Sequence, residues 1–313
     1  MLATKRHASF YLQYGIVFAC LMVVLAACGG SNQTAPTTTS NAPSCKHPIS
    51  MSQINFGVIP AESATSIQDA TKPFSDALSK EVCKPVNLFV GTNYTSIITA
   101  MVSKKADVAS FGPLSYILAA DKGNAEAILR ALAPANKADH YYSYIITTPK
   151  TGIKTLDDLK GKTFSFTDPA STSGNLVPRY TLKNAGIDPD KDLKATYVGS
   201  HDLSLAAVLG GKVQAGAVAS DTYDKLLQQG KFKDSDIVKV TQSFAIPEGP
   251  IAVRKDMSQS DKDAIQAAFL DITDPAALKA ISAGGFIKDT DKSYDPIRDV
   301  AKKLGLNLDK LVK

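Results

Sequence analysis

Residues 163–186 read TFSFTDPASTSGNLVPRYTLKNAG and join a predicted strand to a predicted helix over residues 174–185. Between the two elements stand three consecutive hydroxyl side chains, Ser171, Thr172 and Ser173. A helix N-terminus carries unpaired N–H groups and a partial positive charge, so it is suited to bind an oxyanion. Because one N-cap needs only one hydroxyl, the run of three predicts an anion site at this junction.

Three other strand-to-helix junctions are also rich in small, hydroxyl and amide residues. They cover residues 93–96, 112–115 and 199–202. For any one of these junctions, an ordinary helix cap is the commoner explanation. The four junctions together nevertheless indicate a ligand site that faces several helix N-termini.

Strands and helices alternate along most of the chain. Strands are predicted at residues 54–60, 86–91, 107–112, 141–148, 194–199, 213–219 and 237–243, and helices at residues 66–82, 95–104, 113–123, 174–185, 201–209, 221–229, 261–272 and 296–304. This alternation predicts an α/β fold with mostly parallel sheets. The pattern pauses at residues 149–152, which predicts two lobes. Ligands of open α/β sheets bind beyond the strand ends, so we expect a ligand cleft between the lobes.

The N-terminal segment has the composition of a secretory signal. Lys5 and Arg6 precede an apolar run that covers residues 16–27. The string Leu-Ala-Ala-Cys that ends at Cys28 resembles a bacterial lipobox, which implies cleavage before Cys28 and lipidation of its thiol. The alternative is a membrane-spanning helix, but the run is short for one.

A segment without charged or large apolar residues, 29–44, separates this signal from the rest of the chain. Such a composition predicts a flexible tether. The predicted parts are a signal peptide (1–27), the lipidated cysteine with its tether (28–45), lobe 1 (46–148 together with 246–313) and lobe 2 (149–245).

Composition excludes several classes of function. The chain has 313 residues and a formal net charge of +5 without a dominant block of Lys or Arg, which argues against nucleic-acid binding. No Cys/His cluster has the spacing of metal ligands, and no Gly-x-Ser-x-Gly elbow is present. We therefore expect neither an enzyme nor a cofactor or metal site.

Two cysteines remain after Cys28, namely Cys45 and Cys83. An even number of cysteines in an exported chain favours a disulfide over the alternative of two free buried thiols. The bridge would tie the end of the tether to the first lobe.

Five strings occur along the chain in the order DVASFGPLSY, DPASTSGNLVPRY, GSHD, GKVQAGAVAS and IPEGPIAVRKD. Over about residues 53–290 the chain resembles the phosphate/phosphite/phosphonate-binding proteins of ABC transporters. The resemblance implies a type 2 periplasmic-binding fold, a clamshell with two crossover strands. It also implies an exported, lipid-anchored monomer in the periplasm or at the cell exterior, which delivers its ligand to a permease and ATPase complex.

The resemblance also implies a set of ligand-binding residues. The family's hydroxyl segment holds phosphonate oxygens, and its histidine lies in the GSHD string. The family also has one tyrosine at a helix start, another at the crossover, and an acidic residue after the GKV strand. These roles fall on Ser171, Thr172, Ser173, His201, Tyr94, Tyr141 and Asp221. A core role is the alternative for the tyrosines.

A departure from the family sets the expected ligand. Relatives that prefer 2-aminoethylphosphonate pair its ammonium with two acids, and the second position falls on Gly249, which leaves only Asp221. We therefore expect phosphite or an alkylphosphonate such as methylphosphonate, with Tyr94 or Phe111 against the substituent. The alternatives are an inward Glu248 that restores 2-aminoethylphosphonate binding, phosphate as the ligand, or a body that presents its ligand to a signalling kinase.

Overall fold

The computed structural model describes residues 45–63, 70–306 and 308. The predicted signal peptide, Cys28 and the tether up to residue 44 lie outside the described residues. Within the part of the chain that is described, no helix combines the length and the apolar character that a membrane span requires.

The elements of the described chain are numbered in chain order. The strands are β1 (Ile54–Val58), β2 (Val86–Val90), β3 (Val108–Ser110), β4 (Ala125–Ala131), β5 (His140–Tyr141), β6 (Ser143–Thr147), β7 (Thr163–Phe166), β8 (Lys194–Tyr197), β9 (Ala215–Ala219), β10 (Val238–Gln242), β11 (Ile246–Pro247), β12 (Pro250–Arg254) and β13 (Phe286–Lys288). The helices are α1 (Lys72–Val82), α2 (Tyr94–Val102), α3 (Pro113–Asp121), α4 (Val177–Asn184), α5 (His201–Leu209), α6 (Ser220–Gln228), α7 (Gln259–Asp271), α8 (Pro275–Ala280) and α9 (Asp295–Lys303).

Two separate sheets form the two lobes. The first has the strand order β13-β4-β12-β3-β1-β2, and the second has the order β10-β6-β9-β7-β8. In the first sheet β1 is parallel to β2 and β3, whereas β12 is antiparallel to β3 and β4. In the second sheet β7 is parallel to its neighbours, and β6 is antiparallel to β9 and β10. The prediction of mostly parallel sheets was wrong, because strands next to the crossovers enter each sheet in the opposite direction.

A short antiparallel pair, β5 with β11, connects the two sheets. These are the two crossover segments that a clamshell requires. Residues 143–147, which the predicted division assigned to lobe 1, form β6 and pair within the second sheet. The chain therefore enters the second sheet just after Tyr141, several residues before the predicted lobe boundary between residues 148 and 149.

Each lobe has its own apolar core. In the first lobe, the rings of Phe56, Phe74 and Phe269 lie 5.4–5.9 Å apart beneath the sheet, and full burial of each contributes about 1.5–3 kcal/mol. In the second lobe, Ile145 and Ile146 are neighbours on β6 and pack into different clusters. They do so because successive strand side chains point to opposite faces.

Strands β4 and β13 and helix α8 have no counterpart in the sequence-based prediction. Strand β4 has the sequence AEAILRA, whose alanines and glutamate have low strand propensity. It is nevertheless held as a strand, because β12 and β13 pair with its two edges.

The cysteines Cys45 and Cys83 are joined as a disulfide, with their Cα atoms 5.8 Å apart, a usual separation for such a bridge. Cys83 is the C-cap of α1. The bridge ties the segment that begins at residue 45 to the end of this helix.

Candidate functional site

A cleft of about 230 Å³ lies between the two sheets. Its walls come from the junctions after β1, β3 and β7, from the first turns of α5 and α6, and from the crossover pair. The structure brings all of the predicted ligand-binding residues to this cleft: Tyr94, Tyr141, Ser171, Thr172, Ser173, His201 and Asp221. Their roles in binding remain predictions.

The three consecutive hydroxyls differ in their partners. Ser171 Oγ accepts the Gly174 N–H at 3.0 Å, so this residue is an N-cap. Thr172 Oγ1 accepts the backbone N–H of Leu114 at 2.8 Å. A hydroxyl that accepts in this way still has its proton to donate. The Thr172 hydroxyl can therefore donate to a ligand oxygen.

Two tyrosines support this hydroxyl segment. The Tyr94 phenol interacts with Ser171, and the Tyr141 phenol interacts with Ser173. Both tyrosines are buried, and burial raises the pKa of each phenol far above its ordinary value. They stay protonated, so they act as neutral donors.

The backbone after the hydroxyl segment packs against the preceding loop. Residues Thr172–Leu176 form a π-helical turn, a local geometry that is frequent at functional sites. A Cβ at Gly174 would lie 1.8 Å from Thr167 Oγ1, and the Thr167 N–H donates to Gly174 O at 3.0 Å. Only glycine allows this approach, which fixes the position of the hydroxyls.

His201 begins α5 and is 3% exposed. Its Nδ1 accepts the Ala219 N–H at 3.0 Å, so the proton of the neutral ring is on Nε2. Burial lowers the pKa of His201 to about 4. The residue is thus a neutral Nε2–H donor at the wall of the cleft.

Two carboxyl groups meet at another part of the cleft. Asp221 lies in the first turn of α6, and Glu248 lies between β11 and β12. Their carboxyl groups interact with each other. Burial is the largest cause that raises the pKa of both groups, and the Asp221 charge raises the pKa of Glu248 further. Such a pair shares one proton, because two adjacent buried charges repel each other.

The prediction that Asp221 is the only carboxylate here was wrong. Glu248 is 9% exposed and lines the cleft, and its backbone N–H donates to Asp139 O at 2.9 Å. Position 249 is unsuited to an acid, since a Cβ at Gly249 would lie 2.0 Å from Phe111 O. Close packing of the crossover against the Phe111 backbone therefore turns the neighbouring residue, Glu248, toward the cleft.

The two lobes contact each other around the cleft. The backbone N–H of His201 donates to Ala61 O at 3.0 Å, and the backbone N–H of Ser63 donates to the Asp202 carboxylate at 3.1 Å. Together with the contact between Thr172 and Leu114, these bonds hold the lobes in a closed arrangement. In such clamshells, a ligand that contacts both lobes shifts the population toward this state.

An ion pair lies at the mouth of the cleft. Lys225 Nζ is 2.9 Å from Glu62 Oε1, and it also donates to Ser282 Oγ at 3.0 Å. Sequence reasoning missed Lys225, although it lies four residues after Asp221 and so on the same face of α6.

The two lobes, the crossover pair and the enclosed cleft define a two-lobed substrate-binding protein of the type 2 periplasmic-binding class. The solved structure of the binding protein component of an ABC phosphonate transporter from Pseudomonas aeruginosa superimposes with a TM-score of 0.73. It is 28% identical, and the match covers 79% of this chain and 85% of that one.

Residues 56–294 match the family described as "ABC transporter, phosphonate, periplasmic substrate-binding protein", and the chain belongs to this family. The Phosphonates-binding periplasmic protein of Escherichia coli (strain K12) is 30% identical over 79% of this chain and 75% of that protein. The Phosphate-import protein PhnD of Mycolicibacterium smegmatis is 27% identical over 92% of this chain and 94% of that protein. The predictions of family and fold class are confirmed.

Family membership also establishes the general role. The chain is an extracytoplasmic substrate-binding component of an ABC importer. Since members of this family are binding proteins and not enzymes, the prediction that the chain is not an enzyme is confirmed.

Proposed function

We propose that the cleft captures a small phosphorus oxyanion and closes on it, for delivery to the permease and ATPase of an ABC importer. The observation that carries this proposal is the set of neutral donors at the hydroxyl end of the cleft: Ser171, Thr172, Ser173, His201, Tyr94 and Tyr141. A phosphonate or phosphite oxyanion accepts several hydrogen bonds at once, and bonds to a charged acceptor are the strong ones. The donors come from both lobes, so binding of the oxyanion favours closure.

The substituent on phosphorus is proposed to carry an amine, as in 2-aminoethylphosphonate. Asp221 and Glu248 supply two carboxyl groups to the cleft. Glu248 Oε1 is buried and accepts no hydrogen bond among the described residues, and a buried acceptor favours a donor. An ammonium group supplies that donor, and its single positive charge offsets one of the two negative charges that the carboxylates carry. This choice revises the expectation of a ligand without an amine, which rested on a single carboxylate.

Phosphite or methylphosphonate is the second candidate. It is favoured by the shared proton of the Asp221–Glu248 pair, because a pair that keeps its proton needs no cationic partner. Ile59 and Phe111 offer apolar surface in the cleft wall, against which a P–H or P–CH3 group fits. Phosphate would place a fourth oxygen there without a partner, at a cost of about 1–3 kcal/mol.

Calorimetry with 2-aminoethylphosphonate, methylphosphonate, phosphite and phosphate tests the choice of ligand. We expect 2-aminoethylphosphonate to bind at least tenfold more tightly than the others. Titrations in two buffers of different ionisation enthalpy report proton release. We expect release of up to about one proton with the amine, because both raised carboxyl pKa values fall when an ammonium arrives.

Glu248→Gln is the diagnostic variant. It should weaken 2-aminoethylphosphonate by about 100-fold, the scale of removing one partner of a buried charge pair, and change methylphosphonate binding less than threefold. Glu126→Gln is the control, because Glu126 pairs with Lys262 on the first lobe. Tighter binding of phosphite or methylphosphonate without proton release would instead support the second candidate. If none of the four ligands binds, the proposed function itself is wrong.

The predicted lipid anchor at Cys28 and the monomeric state belong to the same proposal. A lipidated cysteine and a flexible tether over 28–45 would hold the clamshell near the permease. Mass spectrometry of the membrane fraction should find the acylated N-terminus at Cys28, and Cys28→Ala should release the protein from the membrane. An unmodified, membrane-free wild-type chain would refute the anchor.

A further inference from the structure

We propose that the protein has a divalent-cation site of the zinc type outside the ligand cleft, formed by His47, Glu81 and Asp271. Their ligand atoms, one from each residue, all lie within 4.8 Å of one another. One imidazole nitrogen with two carboxylate oxygens is a set that zinc binds, with water in a further position. No motif spacing marks this set in the sequence, because the three residues lie on three separate segments of the chain.

The two separations that involve His47 need only small adjustments to admit an ion, and the third pair, Glu81 with Asp271, is already within 4.8 Å. His47 Nε2 is 2.5 Å from Asp271 Oδ2 and 3.9 Å from Glu81 Oε2. Zinc binds nitrogen and oxygen ligands at about 2.0–2.2 Å, which separates adjacent tetrahedral ligands by about 3.3 Å. The separation between His47 and Asp271 must therefore lengthen, and that between His47 and Glu81 must shorten, each by less than about 1 Å.

One oxygen of the cluster has an ion-pair neighbour but no hydrogen bond within the part of the chain that is described. Glu81 Oε2 is buried and accepts no hydrogen bond among the described residues. The 3.9 Å separation from His47 Nε2 is too long for one. A buried carboxylate oxygen without a donor is rare in native proteins, and a bound cation would satisfy it.

The backbone holds the three ligands in place. The disulfide joins Cys45, two residues before His47, to Cys83, two residues after Glu81. The His47 N–H also donates to Glu81 O at 3.1 Å. Asp271 is the last residue of α7, and the C-terminal end of a helix favours a cation.

Lys46 competes for the site. Its Nζ lies 2.8 Å from Asp271 Oδ2, and its side chain is 62% exposed. An exposed ion pair of this kind contributes little, so a divalent cation can displace the ammonium. The competing interpretation is that the contacts with His47 and Lys46 satisfy the two carboxylates without a metal ion. The two interpretations give opposite expectations for removal of Lys46.

The experiment uses the purified exported protein without a polyhistidine tag and with its disulfide intact. After treatment with EDTA and dialysis, ZnCl2 is titrated at pH 7.5 by calorimetry. We expect one equivalent to bind, at least tenfold more weakly in Glu81→Gln and Asp271→Asn. Lys46→Ala should bind zinc several-fold more tightly. Asp263→Asn is the matched control, because Asp263 is an exposed acid on the same helix that contacts Gln259.

Zinc should also raise the Tm of the wild type but not that of Glu81→Gln. Binding of 2-aminoethylphosphonate to the cleft, measured on the same samples, should be unchanged in every variant. This control separates loss of the metal site from misfolding. The proposal is overturned if the wild type binds no zinc. It is equally overturned if Lys46→Ala and Asp271→Asn both bind zinc as the wild type does. A folding defect would weaken zinc binding. Tighter zinc binding by Lys46→Ala therefore cannot result from misfolding.

Discussion

The hydroxyl end and the carboxyl end of the cleft are built in different ways. At the hydroxyl end, Ser171–Ser173 are consecutive residues, and one glycine, Gly174, fixes their position. At the carboxyl end, Asp221 and Glu248 come from a helix and from a crossover segment. The first end offers neutral donors, and the second holds acids whose pKa values are raised by burial.

The oxyanion is the part of the ligand that all phosphonates share, and the substituent on phosphorus is the part that differs between them. In the proposed function, each end of the cleft binds one of these two parts. The main donors proposed for the oxyanion lie on one short segment, so we expect a change at the carboxyl end to leave oxyanion binding intact. The side chains proposed to bind the substituent meet only through folding, so we expect a small shift of the crossover to change the specificity. Four predictions test this contrast, in order of decreasing effect.

Gly174→Ala should have the largest effect. The added Cβ meets Thr167 Oγ1 at 1.8 Å and Thr167 Cγ2 at 2.6 Å, and such overpacking costs about 3 kcal/mol. Urea denaturation should show this loss, and calorimetry should show that ligand binding is lost as well. Gly210→Ala is the control, because its φ is −78° and its nearest neighbour, Ala206 O, is 3.1 Å away. A stable variant with normal binding would show that the hydroxyl end does not depend on this close approach.

Thr172→Ala should weaken binding of every phosphorus ligand by roughly 10- to 100-fold, the value of one hydrogen bond to a charged group. The variant also leaves the Leu114 N–H without its acceptor. Thr172→Ser keeps the hydroxyl and should bind within about threefold of the wild type on the same scale. Calorimetry measures both. An alanine variant that folds and binds normally would remove Thr172 from the site.

His201 should make the stability of the protein depend on pH. Its folded pKa of about 4 lies below the ordinary value of 6.5, so the unfolded chain binds more protons between these pH values. Stability is therefore lost as the pH falls, by about 2 kcal/mol between pH 7 and pH 5. Urea denaturation at both pH values should show this loss in the wild type, beyond that seen in His201→Gln. Equal pH dependence in the two proteins would mean that His201 titrates normally.

The ion pair at the mouth should have the smallest effect. Lys225 and Glu62 have side chains that are 33% and 15% exposed, and such pairs contribute up to about 1 kcal/mol. Lys225→Ala and Glu62→Gln should each weaken ligand binding about two- to fivefold by favouring the open state. A double-mutant cycle at low and high salt should show a coupling that salt reduces. Strictly additive effects would show that the pair does not stabilise closure.

Much of the fold was predictable because its signals are local. The helix predicted at residues 66–82 is an example: its helical spacing places Phe74, Leu78 and Val82 on one face, and the structure buries these side chains in α1. Strand β4 was not predictable in the same way, since its AEAILRA sequence has low strand propensity and its partners lie far along the chain. The directions of the strands also escaped prediction, because they depend on where the chain crosses between lobes.

The hydroxyl end of the cleft was predictable from the sequence. A strand, three hydroxyls and a helix start are consecutive in residues 163–186, and such a helix N-terminus is suited to bind an anion. Only the tertiary structure decided the carboxyl end. Glu248 reaches Asp221 because Gly249 packs against the Phe111 backbone, and no local pattern records that contact. In the same way, His47, Glu81 and Asp271 meet only because a disulfide and a helix end bring distant segments together.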